Sequence, residues 1–437
     1  MATVFDRAGM SSTTTGTGTL TLGSALGNVS PNLAAFVSFA SAGVANGQLV
    51  SYLILDSNNN WEIGIGNYTS SGTTLTRNVL WSNNANGAIN LSGNAQVFIT
   101  EIAEDVNQAG FGGYRNRFRN AAMDIWQRGA NAITVTTAGG YTADGWIVVP
   151  TGASCTAQQS GPESDQVGAY GVYNALKING ATGVTDVVVK QRIESYVGVQ
   201  LANETVTVQM ALENDTGATI TPTLTVKHAT AGQDNWTTSS TDVSAVSLGS
   251  VANGADVVLA YTFACPFAAY RGLEIAFDFG NNFASTGNSI QIFGADIRVT
   301  PGVALGLNNN PPPPELRPLT TEQLMCQRYF TQIAPGAALA PFGAGHFDST
   351  TSFHAAIPLP APMRGSPGGL SATFSTASNF QVRSGGSNFA VSAISLVAAS
   401  STMIEVAATV SGATAGNGGI LRDAGSNNSF IQLSQEL

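Results

Sequence analysis

Apolar residues recur at every second position over much of the chain. The runs are short and separated by clusters of Gly, Asn, Ser, Thr and Pro. Period-two alternation lays one face of a strand on a core and turns the other to solvent. Thr15 to Leu22 alternates in this way. Leu49 to Leu55 reads as a buried strand, Asp56 to Asn60 as a turn, and Trp61 to Tyr68 as the returning strand of a hairpin. Thr74 to Trp81 and Gln96 to Ile102 add two more strands, completing a small all-β domain over residues 1–106. Asp105 to Gly113 reads as a linker, with one or two helical turns expected over Glu101 to Gln108.

Residues 114–302 carry strand candidates at roughly ten-residue spacing, as in a sandwich or jelly roll. The candidates are Trp146 to Val149, Val187 to Ile193, Thr205 to Leu212, Thr223 to Lys227, Asp256 to Phe263, Leu273 to Phe279, Ser289 to Phe293 and Ala295 to Val299. Residues 303–320 form a linker whose four consecutive prolines favour an extended spacer of about 3.1 Å per residue. A helix is expected over Thr320 to Phe330, capped by Thr320 or Thr321. Weaker alternation at Phe353 to Ile357, Ala393 to Ala398 and Met403 to Val410 makes 321–437 a C-terminal β-domain prone to self-association. The expected fold is therefore all-β and multidomain. It has a small N-terminal β-domain, a central jelly-roll sandwich, and a C-terminal β-domain after a Pro-rich linker and short helix. No fixed-period repeat, heptad pattern or Gly-X-Y stretch is present.

Charged residues make up only 10% of the 437, against about 25% in ordinary soluble proteins. With 43% hydrophobic residues the chain nonetheless has enough apolar material to fold. A net charge of −10 leaves no basic stripe to neutralise phosphates, so nucleic acid is not an expected partner. Cys155, Cys265 and Cys326 are odd in number and widely spaced, which argues for buried free thiols over a disulfide framework. The N-terminus lacks a basic segment followed by an apolar core, and Leu33 to Leu55 is too polar for a membrane span. A protein made in the cytoplasm and not anchored to membrane is the expectation.

Chemistry-bearing patterns are sparse. His228, His346 and His354 occur in no metal-binding spacing, and no nucleophile elbow is present. Glycines 64 and 66, and 110, 112 and 113, lack the Lys and helix that a phosphate loop needs. Asp124, Asp144, Glu274 and Asp278 are the carboxylates to consider for glycoside hydrolysis, which needs two acids about 5–10 Å apart. Glu274 and Asp278 share one strand face, ordinary for a solvated or subunit-facing edge. No catalytic residue, metal or cofactor is expected, and no enzyme.

One stretch stands apart. Asn120 to Gly129 followed by Tyr141 to Trp146 gathers two Trp, two Asp and an Arg within 27 residues. An indole can stack on a sugar ring while Asp, Arg and Gln bond its hydroxyls. The alternative, which we favour, is structural: Trp126 and Trp146 are core, and Arg128 forms a buried clamp with Asp124 or Asp144. Arg328 and Tyr329 in Cys326-Gln-Arg-Tyr-Phe330 are read in the same way. Ligand contacts are then expected in loops, at Asp234, Asn235 and Trp236 and at Asn281 to Phe283. Trp236 lies in a polar stretch, and Phe283 follows two asparagines.

The first motif resembles N-x-x-x-D-x-W-Q-R-G and Y-T-A-D-x-W in bacteriophage tail-fibre and head-fibre (spike) proteins, and Cys326 to Phe330 resembles their C-Q-R-Y-x. Thr15 to Leu22, Trp61 to Tyr68 and Thr74 to Arg77 resemble the T-G-T-G-x-x-x-L, W-E-x-G-x-G-x-Y and T-L-x-R of an N-terminal domain in phage structural proteins, over roughly a quarter of the chain. The strand layout after the first motif resembles carbohydrate-binding-module jelly rolls. What the resemblance implies is a virion protein made in the host cytoplasm, a fibre or spike. Its N-terminal domain would dock on other virion proteins of tail, neck or capsid, and its outer domains would bind host surface polysaccharide as a homotrimer. A purely structural neck, collar or head-decoration component and a capsule depolymerase are the alternatives.

Overall fold

The computed structural model describes residues 4–27, 34–102, 114–161, 171–309, 311–312, 314–365 and 369–437. The Asp105 to Gly113 linker, and Glu101 to Gln108 apart from its first two residues, lie outside them. The chain is nearly all β. It divides into two compact units, one built on 1–115 with 299–304 and 308–313, the other on 116–298 with 305–307 and 314–437.

The first unit is a seven-stranded sheet in which Leu49–Asp56 pairs antiparallel with Trp61–Thr69, Leu55 opposite Trp61. Asn59, at a φ of 58°, makes the turn between them. Thr15 to Leu22 is not one strand: Thr15–Gly16 and Leu20–Thr21 pair with different partners. Thr74 to Trp81 divides likewise into Thr74–Leu75 and Asn78–Ser82. The inner face of Trp61–Thr69 is formed by Glu62, Gly64, Gly66 and Tyr68. Both glycines are required by close approach. A Cβ would lie 2.3 Å from the Asn78 carbonyl at Gly64 and 2.2 Å from that of Thr76 at Gly66. Glu62 is fully buried and accepts hydrogen bonds from the Tyr52 hydroxyl at 2.8 Å, the Ile89 amide at 2.9 Å and the Arg77 guanidinium.

The second unit contains a two-sheet antiparallel sandwich of jelly-roll type. One sheet runs Ile133–Val135, Cys155–Ser160, Ala175–Asn179, Ser289–Val299, Thr205–Asp215, Ala255–Ala264, Gly306–Leu307. The sequence divided its central strand at Gly294. The structure keeps Ser289–Val299 continuous, because the glycine sits in open pleat with only ordinary contacts. In chain order, the strands of the other sheet are β1 (Gly140–Tyr141), β2 (Ile147–Thr151), β3 (Asp186–Ile193), β4 (Thr223–Ala229), β5 (Ser239–Ser247) and β6 (Leu273–Asp278). Their spatial order is β1-β2-β3-β6-β4-β5. Val187, Val189, Leu224, Val226, Ile275 and Phe277 point into the core fully buried. Each contributes about 1.5–3 kcal/mol through burial. The Ser- and Thr-rich β5, and the strands Cys155–Ser160 and Ala175–Asn179 of the other sheet, gave little apolar alternation to read.

The two motifs singled out in the sequence meet in one seam. Asn120 bonds the Ile125 amide and carbonyl, both at 2.8 Å, and its own carbonyl accepts from the Trp146 indole at 3.0 Å. Trp146 is fully buried and Trp126 half-buried. Arg128 lies 3.8 Å from Asp144 and 3.1 Å from Glu436, with its guanidinium 3.5 Å from the Phe330 ring centroid. Asp124 takes no part in that clamp, because Asn174 occupies it at 2.8 Å. Tyr329 donates to Glu194 at 2.7 Å and lies under Arg119; Arg328 pairs with Glu194 at 3.0 Å.

The helix expected from Thr320 spans Leu319–Gln327, and its cap is not a threonine. The Pro318 carbonyl accepts the Thr321 and Glu322 amides. Glu322 turns inward, to Arg317 at 2.8 Å and the Asn120 amide. Part of the Pro-rich stretch is also fastened to the sandwich, Glu315 donating its amide to Asp296 at 2.7 Å. Beyond it lie a three-stranded sheet (Phe330–Ile333, Ile431–Ser434, Ser371–Phe374) and a seven-stranded sheet over Phe347, Phe353, Val382 and Val406. All three cysteines are free and buried, and burial pushes the Cys155 thiol up to about 11 and that of Cys265 to about 12.

Candidate ligand groove on the sandwich

Alternation along β3 sends Val187, Val189, Gln191 and Ile193 inward, which leaves Asp186, Val188, Lys190 and Arg192 on the outer face. The antiparallel register extends that face across five strands. Val149, Val188, Asp278 and Thr223 form one row; Ile147, Lys190, Ala276 and Thr225 the next. Arg192, Glu274, Lys227 and Thr241 form the third. A groove of about 260 Å³ opens over the three rows, just under the range of about 300–1,000 Å³ usual for small-molecule sites. Val149 and Val188 share the first row with Asp278, Ala276 lies between Lys190 and Thr225 in the second, and Glu274 and Lys227 charge the third.

At one end Glu274, only 7% exposed, is held by Lys190 at 3.0 Å and Arg192 at 2.8 Å. Burial alone would raise its carboxyl, but the two cations outweigh it and hold it below the usual glutamate range. Lys227, half-buried and directly opposite Glu274 in register, has no ion-pair or hydrogen-bond partner for its ammonium among the described residues. At the other end Asp186 and Asp278 hydrogen bond to one another. Burial, then the like charge of Asp278, raises Asp186 to about 6.

Loops close off the cation end. Arg192 lies 4.9 Å from the ring centroid of Trp236, in the β4–β5 loop. Asp234, at a φ of 55°, accepts from the Ser195 amide at 2.7 Å, the Ser195 hydroxyl at 2.9 Å and Arg364 at 3.3 Å. Its own amide donates to Arg271 at 2.9 Å. One aspartate thereby fastens four segments: its loop, the short helix Ser195–Gly198, the turn Phe267–Arg271 and the stretch at Arg364. Gly198 lets helix and turn approach, since a Cβ there would lie 2.3 Å from the Ala269 carbonyl. On these segments Tyr196 is 75% and Phe267 66% exposed, so the end of the sandwich presents aromatic surface to solvent.

Of the loop residues proposed from the sequence, Trp236 stands beside the groove and half-buried. Asp234 is a positioning residue. Asn235 is exposed and shapes its turn through Thr237, whose hydroxyl it accepts at 2.8 Å. Phe283 is a correction: it is fully buried, because the 283–285 segment passes so close to Gly180 that its ring turns into the core. Sequence reading passed over Lys190, Lys227, Tyr196 and Phe267. For Lys190 and Arg192 the available signal was the β3 alternation, which puts both on the outer face. Nothing local marked Tyr196 or Phe267, whose exposure depends on how the loops pack.

No protein-family model and no curated protein matches the sequence. Solved structures resemble part of it. The C-terminal family 22 carbohydrate-binding module of Clostridium thermocellum Xyn10B covers 44% of this chain and 99% of its own, at 12% identity and a TM-score of 0.29. The CBM22-1 xylan-binding domain of Paenibacillus barcinonensis Xyn10C covers 39% and 96%, at 16% identity and 0.26. The enzymatically active domain of bacteriophage CBA120 tailspike protein 4 covers 43% of this chain and 22% of its own, at 14% identity and 0.30. The sandwich assignment rests on the strand order given above.

Proposed function

We propose that this protein is a glycan-binding fibre or spike of a bacteriophage or phage-like particle. The groove on the outer face of β2, β3, β6 and β4 is its sugar site, flanked by Trp236 on Arg192. The observation that carries the binding reading is this floor: an apolar strip of Val149, Val188 and Ala276 with Asp278 at one end and Lys190, Glu274 and Lys227 at the other, where Arg192 lies over the Trp236 ring. Sugar rings present one apolar face and a girdle of hydroxyls, which is the complement of such a surface. The virion role is supported by the motif resemblance in residues 1–106 and 120–146, with attachment to other virion proteins assigned to the N-terminal domain.

The site is read as one that binds without cleaving. Asp186 and Asp278 hydrogen bond to one another, which leaves no room for a glycosidic oxygen between them. Glu274 is kept ionised by two cations and is unsuited to protonate a leaving group.

Bacterial surface polysaccharides displayed on an array and probed with the full chain test the reading. Trp236→Ala is expected to weaken binding by roughly three- to tenfold, the worth of one aromatic contact, without release of reducing sugar. A folded protein that binds none of the polysaccharides would overturn it, and steady release of reducing sugar would replace it with a depolymerase. Homotrimer formation is the second expectation, since weak single sites gain from avidity. Light scattering at micromolar concentration is expected to return three times the 44.8 kDa chain mass; a monomer there would count against a free-standing fibre.

A further inference from the structure

We infer that the groove takes a glycan built from sugar acids, with Lys227 receiving the sugar carboxylate. The inference rests on the reading of the groove as a glycan site and adds the class of sugar. The chain has only 17 Lys and Arg and a net charge of −10. Three of those cations, Lys190, Arg192 and Lys227, nevertheless converge on one end of one sheet face, around the single carboxylate of Glu274. Two of the three are committed to Glu274, and Arg192 also donates to the Leu437 carbonyl at 2.8 Å. Lys227 alone is unengaged. Its ammonium is open to an incoming anion, with the positive charge of Lys190 and Arg192 beside it.

The apolar floor fixes what kind of anion fits. Val149, Val188 and Ala276 offer a flat, weakly featured surface on which the C–H face of a sugar ring can lie. The carboxylate of a uronic acid is an equatorial substituent in the mean plane of its ring. A ring lying on that floor therefore directs its carboxylate sideways, toward the cation row. Asp278 and Asp186 at the opposite end repel a carboxylate placed there, so ligand orientation is set by charge.

Uronate-bearing bacterial polysaccharides and their carboxyl-reduced counterparts, titrated into the full chain by calorimetry, test the inference. Binding is expected for the acidic forms and not the reduced ones, and it weakens as sodium chloride is raised. Lys227→Gln is expected to lower affinity for the acidic forms about fivefold or more, with Lys227→Arg retaining it and the melting temperature unchanged. Lys177→Gln, on the opposite sheet, controls for net charge and should leave affinity within about twofold. Equal binding of acidic and reduced forms, or wild-type affinity in Lys227→Gln, overturns the inference and leaves the glycan reading standing. Selective binding of sulfated or phosphorylated polysaccharides with no uronate binding also overturns it. Failure of every polysaccharide, acidic and neutral, overturns the glycan reading and this inference with it.

Discussion

Replacing Glu62 with Ala is expected to destabilise the N-terminal unit by about 3–5 kcal/mol, the cost of leaving a buried charge without its partner. Glu62 and Arg77 have side chains 0% and 2% exposed. The carboxylate stands on the inner face of Trp61–Thr69, where the alternation calls for an apolar residue. It is tolerated because all of its acceptor capacity is used: two contacts from the Arg77 fork, the Tyr52 hydroxyl at 2.8 Å and the Ile89 amide at 2.9 Å. Arg77 in turn donates to the Ile89 carbonyl at 2.9 Å. Removing the carboxylate strands a guanidinium, a phenol and an amide together. Hydrogen exchange on the full chain reads the result. Protection in 49–99 should fall, while peptides from 186–299 serve as the internal reference. Unchanged protection in 49–99 would refute the assignment of this network as the keystone of the sheet.

The second large effect is a pH dependence centred on Asp144. Burial raises its carboxyl to about 7, against the opposing pull of Gln127 and Arg128. Arg128 at 3.8 Å compensates only in part, since it also serves Glu436 at 3.1 Å. The sign follows from proton uptake. Between the ordinary aspartate value near 4 and about 7, the folded state holds a proton that the unfolded state has lost. Stability from this group is thus present below pH 4, declines as pH rises to about 7, and is flat above. Asp144→Asn cannot ionise, so the difference in unfolding free energy between wild type and variant isolates the group. That difference is expected to move by a few kcal/mol against the wild type between pH 4 and 7. A difference that stays constant across the range, or moves the other way, would show that Asp144 is ionised throughout in the folded protein.

These two predictions fall on the motifs by which the sequence was first read, and they show what such motifs encode. The W-E-x-G-x-G-x-Y pattern of residues 61–68 holds a buried acid, two glycines set against neighbouring carbonyls and a buried tyrosine, with Arg77 supplying the counter-charge. Asn120 to Trp146 and Cys326 to Phe330 turn out to be two sides of one seam. Gln127 bonds the Phe330 carbonyl at 2.7 Å and Arg128 covers its ring. The charged residues that first suggested a sugar site are spent in joining sandwich and C-terminal segment. Asp124 lies aside from the clamp because Asn174 holds it, a pairing across 50 residues that no spacing displays.

The sequence by itself determined that this protein is built from strands, where the strongest of them run and which of their faces are buried. Those properties follow from local alternation, which each segment carries alone. It also marked Glu274 and Asp278 as sharing a strand face, and Trp236 as a tryptophan in polar company. Only the tertiary structure decided the register that sets Lys227 and Arg192 on either side of Glu274, gathering the cations of two strands around the carboxylate of a third. It decided also that Phe283 turns inward and that Tyr196 and Phe267 turn outward. The reason is physical. Alternation says which side of a strand a residue takes, whereas charge balance and exposure depend on which strands and loops become its neighbours.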